Sequence, residues 1–263
     1  MTQAKFVSTT HNNKSVRYIE ADLDAIKVES IEGKSVEKSG KYGVNGTFFW
    51  GSSLLGVAVN RTSNGRSAPV MTGGDKTSAI IVNKKSYVTK RGTMYCFNPP
   101  AGRIIFDDKP VVNYLDYPES STSNVVWAIG GYSLYPWKKY KSETEYYDAI
   151  NGHGDSTKLP TENTENAYRF GPKSNNARTA IGYKFSHQDG KKIILAVFSS
   201  ESAYGVHEFM AGLGCTSAVM LDGGGSSQIR YKSGGKDGFW CPKPDPTMRV
   251  VHSMVTVNPT KWV

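Results

Sequence analysis

One acidic residue followed by a run of glycines carries the clearest signal for chemistry. Residues 222–227 read Asp-Gly-Gly-Gly-Ser-Ser and follow a short apolar run at 218–221. Glycine loses much conformational entropy on folding, so three in a row favour a tight turn or a close backbone approach. The Asp222 carboxylate, the Ser226 hydroxyl and the N–H groups of the turn would together suit an oxygen-rich polar ligand. The alternative is an ordinary turn with a capping aspartate.

The elements around this turn are predicted to be a strand, a helix and a second strand. The apolar run at 193–198 predicts the first strand, and residues 199–202 predict a polar turn. A helix follows, with apolar residues at 206, 209, 210 and 213 on one face, and Gly214 ends it. The second strand delivers Asp222 into the turn.

Other apolar and alternating segments predict further strands. Residues 79–97 favour a hairpin, and residues 125–129 favour a strand that ends at Gly130 and Gly131. The long polar stretch at 137–176 is typical of an insertion or lid, with a helical turn near 143–150. Its His153 and Asp155 could line a site, although solvated loop residues are the simpler interpretation.

Two more polar residues stand where they could contact a ligand. Asn45 precedes Gly46, a pair that suits a hairpin turn but could also present an amide beside a pocket. Arg178 begins a strand-like segment and could clamp an anionic group through both of its terminal nitrogens. A surface salt bridge is the alternative for Arg178.

Composition sets limits on the class of protein. The 263 residues are 38% hydrophobic, and the 27 glycines and 15 tyrosines favour a strand-rich fold with many turns. The net charge of +9 suits an anionic substrate or surface. The three cysteines form no CxxC pair, which argues against a zinc site. We expect one domain over residues 1–263, no membrane insertion and no cleaved signal peptide.

The ordered set of these motifs resembles one family. In sequence they are Asn45 with the residues that follow it, residues 130–134, residues 178–182, residues 221–227 and residues 249–251. The set is similar to the phosphodiester glycosidase domain, a family that includes the lysosomal uncovering enzyme and many bacterial and phage proteins. The resemblance implies an α+β fold with curved mixed β-sheets and a few short helices. It also implies hydrolysis of a sugar-1-phosphodiester to free sugar and phosphomonoester.

The chemistry of this reaction and the positions of the candidate residues give each an expected role, with Glu201 chosen because it lies just past the end of a predicted parallel strand. Glycosyl cleavage is usually managed by two carboxylates, and we expect Asp222 to be the essential one and Glu201 the second. His207 is a further candidate acid or base, with an exposed structural histidine as the alternative. Arg178 is expected to hold the phosphate. Substrate oxygens are expected to contact a further group of residues, namely Asn45, Gly130, Gly131, Gly223, Gly224, Gly225 and Ser226.

Partners and location follow as expectations from the same reasoning. We expect a carbohydrate-phosphate substrate, in particular a teichoic-acid-like wall polymer, and no cofactor, although Asp222 with loop oxygens could hold Ca²⁺. Nucleic acid is disfavoured because no basic run alternates with aromatic residues. A phage virion, or a host cytoplasm with release at lysis, is the expected location. The alternative function is a non-catalytic glycan-binding module.

Overall fold

Strands make up most of the structure, a computed structural model that describes residues 1–75, 80–82, 85–87, 92–97, 103–107, 114–115, 121–135, 137–152, 174–243 and 248–263. Two α-helices occur in these ranges, α1 (Glu143–Gly152) and α2 (Ala203–Gly212). The strands in chain order are β1 (Gln3–His11), β2 (Lys14–Asp22), β3 (Ile26–Lys34), β4 (Gly43–Asn45), β5 (Phe49–Trp50), β6 (Ser53–Leu54), β7 (Ala58–Arg61), β8 (Ser67–Pro69), β9 (Ile80–Val82), β10 (Lys85–Tyr87), β11 (Gly92–Phe97), β12 (Arg103–Asp107), β13 (Val125–Ser133), β14 (Asn176–Ser186), β15 (Gly190–Glu201), β16 (Ser217–Met220), β17 (Ile229–Ser233), β18 (Lys236–Trp240), β19 (Val251–Val257) and β20 (Lys261–Trp262).

Two large sheets contain most of these strands, and β5 with β6 and β9 with β10 form two further two-stranded sheets. The larger has 11 strands in the order β12-β11-β13-β16-β14-β15-β2-β1-β20, with β7 and β8 attached beside β13. Adjacent strands in this sheet run antiparallel, except for β1 and β20, which run parallel to each other. The smaller sheet has five antiparallel strands in the order β18-β17-β4-β19-β3. The predicted strand-rich fold with mixed sheets and few helices is confirmed, although the fold is largely β and α+β describes it only loosely.

The main hydrophobic core lies between the two sheets because side chains alternate between the faces of each strand. Leu195 and Val219 contribute from the larger sheet, and Val44 and Val255 from the smaller one, all fully buried. The opposite face of the larger sheet is covered by α2. There Phe198, Met220 and other residues on alternate positions pack against Val206 and Met210 of the helix.

Helix α2 confirms the predicted helix, but the strands around it differ from the prediction. The Ser202 side chain caps the helix by accepting a hydrogen bond from the Gly205 N–H at 3.2 Å, and Gly214 follows its end with a positive φ of 79°. The predicted polar turn at 199–202 is wrong, because β15 continues to Glu201. Strand β14 also pairs with both β15 and β16 and runs antiparallel to each. The two strands that flank α2 are therefore not neighbours in a parallel sheet.

The remaining sequence predictions have mixed outcomes. The hairpin expected within residues 79–97 is present as β9 and β10, and the helical turn expected near 143–150 is part of α1. The strand expected over 125–129 and ending at Gly130 and Gly131 is present as β13 and extends to Ser133. Residues 153–173 of the predicted insertion, with His153 and Asp155, lie outside the described residues. Neither described helix has the length and apolar character that a membrane crossing requires.

Candidate active site

Asp222 lies where the chain leaves the larger sheet and passes to the smaller one. It follows β16, and its N–H donates to the Gly46 carbonyl at 3.2 Å. A single 3-10 turn, Gly224–Ser226, then leads into β17 of the smaller sheet. Because this turn spans the junction of the two sheets, groups from both can surround the Asp222 carboxyl.

Asp222 is partly accessible to solvent, but its carboxyl is densely surrounded by protein atoms and keeps several stabilising neighbours. Burial raises its pKa from 3.8 to about 6, while the Ser226 hydroxyl, the Arg249 guanidinium and the Gly223 N–H each lower it. The Gly223 N–H donates to Oδ1 at 3.0 Å. The Ser226 hydroxyl is buried near the carboxyl and has no hydrogen bond of good geometry within the described structure. Asp222 is therefore largely ionised at neutral pH and protonated in mild acid.

Arg249 supplies a cation on one side of the glycine turn. The residue is exposed, and its guanidinium carbon lies 5.5 Å from the centre of the Phe49 ring. A Cβ added at Gly225 would lie 3.5 Å from its Cδ, so the side chain runs directly along the turn. Within the described residues no ion pair engages Arg249. Its charge is thus available to an anion near Asp222. Sequence reasoning placed Arg249 only in a strand motif and gave it no role.

Arg178 approaches the turn from the other side. The side chain is buried, with Nε donating to the Glu201 carbonyl at 3.0 Å and Nη2 donating to the Ser174 carbonyl at 2.8 Å. A Cβ added at Gly223 would lie 3.7 Å from its Cδ. Burial lowers its pKa to about 10, so the guanidinium remains charged at neutral pH. Arg178 lies near the start of β14, which begins two residues earlier at Asn176.

The glycine turn itself offers donors to a ligand. Gly224 has a positive φ of 63°, a conformation that residues with a side chain rarely adopt. A Cβ at Gly223 would lie 3.0 Å from the Ala177 carbonyl, so the turn also packs closely on β14. The N–H groups of Gly224 and Gly225 make no hydrogen bond within the described residues. Adjacent free N–H groups in a turn form a site suited to an anion.

Asn45 holds the acid in place from the smaller sheet. Its side chain is fully buried, and Nδ2 donates to the Asp222 carbonyl at 2.8 Å. Its Oδ1 accepts from the Thr179 hydroxyl at 2.8 Å and from the Gln228 N–H at 3.1 Å. The structure therefore places Asn45 behind Asp222, bonded to protein groups on both ends of its amide. Thr179 and Gln228 had no sequence signal, because their importance depends on this long-range contact.

Comparison with known proteins identifies the family. The model of the phosphodiester glycosidase family matches residues 75–258, which is well over half of the chain. The chain belongs to the phosphodiester glycosidase family. No curated relative matches the chain at the level of sequence. Membership of this family supports a glycosidase-type function.

Two solved structures share the fold. One is the catalytic domain of zebrafish N-acetylglucosamine-1-phosphodiester alpha-N-acetylglucosaminidase, auto-inhibited by its pro-peptide, with 17% identity and a TM-score of 0.55. That match covers 98% of this chain and 83% of the zebrafish chain. The other is a putative exported protein from Burkholderia pseudomallei K96243, with 15% identity, a TM-score of 0.53, and coverage of 94% of this chain and 74% of that one.

Glu201, the expected second carboxylate of this member of the family, is engaged away from Asp222. Its Oε1 accepts from the Ser202 N–H at 3.1 Å and lies 3.7 Å from the Lys14 ammonium. Its Oε2 accepts from the Asn12 side chain at 3.4 Å. Strand β14 lies between β15, which ends at Glu201, and β16, which leads to Asp222. The main-chain carbonyl of Glu201 accepts a hydrogen bond from Arg178, and this bond is the direct link of Glu201 to the site. A catalytic role for Glu201 stays a prediction.

His207 lies in the helix α2 and is buried. Its Nδ1–H donates to the Leu134 carbonyl at 2.7 Å, and burial lowers its pKa, so the ring is neutral. Tyrosine rings surround it, with centroids at 5.2 Å for Tyr140, 4.9 Å for Tyr146 and 5.9 Å for Tyr204. The expected alternative of an exposed histidine is wrong. The geometry indicates a packing role, and acid–base chemistry stays a prediction.

Gly130 and Gly131 bring strands together inside the fold. The Gly130 N–H donates to the Val57 carbonyl, and the Gly130 carbonyl accepts from the Thr47 hydroxyl, both at 2.8 Å. A Cβ at Gly131 would lie 2.3 Å from the Met220 carbonyl on β16. Both glycines are buried, so they shape the support of Asp222, and contact with substrate stays a prediction.

The described residues contain no cluster of three or more His, Cys, Asp or Glu side chains that could hold a metal ion. A Ca²⁺ ion held by Asp222 and loop oxygens, the alternative to the expected absence of a cofactor, would therefore not rest on such a cluster within these residues.

Proposed function

We propose that this protein hydrolyses a glycosyl phosphodiester and releases a free sugar and a phosphomonoester. One observation carries the proposal: the ionisable carboxyl of Asp222 lies at a turn flanked by the cations of Arg249 and Arg178. The turn also offers the N–H groups of Gly224 and Gly225. A phosphate needs the cations and the N–H donors, while a sugar that develops positive charge needs the carboxylate.

The roles of the residues follow from these positions. Arg249 and the turn N–H groups bind the phosphate, and Arg178 adds charge from beneath Gly223. Ionised Asp222 acts on the anomeric carbon as nucleophile, base or stabiliser of the oxocarbenium-like transition state. The bond between this carbon and the phosphate oxygen breaks. Water supplies a hydroxyl to the sugar and a proton to the departing phosphomonoester. The phosphomonoester is a good leaving group because its P–OH group is acidic.

Turnover of defined substrates tests this proposal. Purified protein is incubated with α- and β-linked sugar-1-phosphodiesters, and free sugar and phosphomonoester are measured in equal amounts. We expect activity with wild type and a loss of several orders of magnitude in kcat for Asp222→Asn, because the charge is removed while the size is kept. Thr256→Val is the matched control, since Thr256 is buried on β19 and bonds to Glu29, away from the turn.

Two outcomes would contradict the proposal. Near-normal turnover in folded Asp222→Asn would remove Asp222 from the chemistry. Tight binding of phosphodiesters without turnover in the wild type would favour the non-catalytic glycan-binding module instead.

The natural substrate that we propose is a teichoic-acid-like wall polymer with sugar-1-phosphate linkages. The net charge of +9 supports this choice, because a basic protein is drawn to a polyanion. The exposed Arg249 beside the turn supports it as well, since an exposed cation can contact a ligand too long to be enclosed.

A further inference from the structure

A second buried amide, that of Gln228, links the acid to the cation. Gln228 follows the glycine turn and is fully buried. Its N–H donates to Asn45 Oδ1 at 3.1 Å, and Asn45 in turn holds the Asp222 carbonyl. Its side-chain Nε2 donates to the Arg249 carbonyl at 2.8 Å, while its Oε1 accepts from the Val36 N–H at 2.9 Å. One residue thus fixes the main chain on both sides of the candidate site.

The backbone beside Arg249 is held in an uncommon conformation. Met248 has a positive φ of 41°, which costs energy for a residue with a side chain. Such a conformation persists when neighbouring bonds hold it in place. Arg249 is the next residue after Met248, and its main-chain carbonyl accepts the described hydrogen bond from Gln228.

We propose that Gln228 is a positioning residue that holds Arg249 beside Asp222 and thereby sets the affinity for the phosphate of the substrate. This inference rests on the proposed function for the identity of the ligand. The geometry of the Gln228 bonds does not depend on it. Because Arg249 is exposed, its side chain would otherwise lose considerable freedom when it binds an anion. A main chain that is already fixed reduces that loss.

The experiment compares Gln228→Met, which keeps the length of the side chain but removes both of its hydrogen bonds, with Arg249→Ala and the Thr256→Val control. We expect KM for a sugar-1-phosphodiester to rise about three- to tenfold in Gln228→Met, the equivalent of roughly one hydrogen bond, with kcat within about twofold of wild type. In an Arg249→Ala background the same substitution should change KM by less than about twofold, because the group it positions is gone.

A second measurement is independent of turnover. Titration of the Asp222 carboxyl by NMR should give a higher pKa in Gln228→Met than in wild type, because the Arg249 charge that favours the ionised form is less well placed. Thr256→Val should leave that pKa unchanged. If wild type proves inactive on phosphodiesters, the proposed function fails and this titration still decides the role of Gln228.

The contrary results are equally clear. An unchanged KM together with an unchanged Asp222 pKa in folded Gln228→Met would overturn the proposal. An equal effect of Gln228→Met with and without Arg249 would do the same. Gln228→Glu keeps the acceptor for the Val36 N–H, and it serves if the methionine variant does not fold. Failure of both variants to fold would assign Gln228 to stability alone.

Discussion

At the scale of single residues, the Asp222 carboxyl links stability to function. Its pKa of about 6 lies above the usual value of 3.8, because burial disfavours the charge. The folded state therefore binds this proton more tightly than the unfolded chain. It gains stability from it below about pH 4 and loses that gain as the pH rises through about 6. The ionised form that the proposed reaction requires is thus the less stable one.

Asp222→Asn should consequently stabilise the protein at neutral pH while abolishing activity. We expect the free energy of unfolding at pH 7 to rise by about 1–2 kcal/mol, after allowance for the water that reaches this partly accessible residue. The gain should disappear near pH 4. Urea denaturation of both proteins between pH 4 and 8 measures this. If Asp222→Asn is less stable than wild type at pH 7, the buried charge of Asp222 does not destabilise the folded state.

The same pKa predicts the acid limb of the activity profile. Because each role considered for Asp222 needs the carboxylate, kcat/KM should fall below about pH 6 with a slope of one. Arg249→Ala should move this limb to higher pH, since the guanidinium favours the charged form. If the acid limb stays at the same pH in Arg249→Ala, Arg249 does not influence the pKa of Asp222.

Substitution of Arg178 tests, at the same scale, whether this residue helps to bind the phosphate. Lysine keeps the charge but cannot make both of the bonds to the Glu201 and Ser174 carbonyls. We expect Arg178→Lys to raise KM about tenfold and to change kcat little, because ground and transition states both carry the phosphate. Arg230→Lys is the control, as Arg230 pairs with Asp237 on β17 and β18. Unchanged kinetics in both Arg178→Lys and Arg178→Ala would place Arg178 outside the site.

At the scale of elements, the approach of β13 to β16 supports the strand that carries Asp222. Gly131→Ala would place a Cβ 2.3 Å from the Met220 carbonyl, a main-chain atom that cannot rotate away. We expect a loss of about 2–4 kcal/mol in the free energy of unfolding, as in other overpacked cores. Gly212→Ala is the control, since nothing lies within 4 Å of its added Cβ and alanine favours a helix. Equal melting temperatures for the two variants would contradict the close approach.

At the scale of the whole molecule, the charge of +9 should govern the choice between a polymer and a small substrate. We expect wall teichoic acids with sugar-1-phosphate linkages to be cleaved with a lower apparent KM than a small N-acetylglucosamine phosphodiester. This advantage should shrink as salt rises from about 50 to 300 mM, because screening weakens long-range attraction. New reducing sugar and phosphomonoester report cleavage. Activity on the small diester with none on any polymer would overturn this substrate while leaving the reaction class standing.

The sequence by itself determined the local elements and the family. Helix α2 and the glycine beyond its end follow from residue types within a few positions of one another. The turn after Asp222 was equally evident from the sequence, because three consecutive glycines favour a tight turn or a close backbone approach. The ordered motifs sufficed to name the phosphodiester glycosidase family, which the match over residues 75–258 then showed.

Only the tertiary structure decided which groups surround Asp222. Strand β14 inserts between β15 and β16 and separates Glu201 from Asp222, while the Glu201 carboxylate lies 3.7 Å from the Lys14 ammonium on β2. Arg249 lies two residues before β19, and Asn45 reaches Asp222 across 177 positions of sequence. Such contacts depend on strand order and on the packing of two sheets. Both are set by the burial of apolar faces over the whole chain, and no local pattern around Arg249 or Gln228 records them.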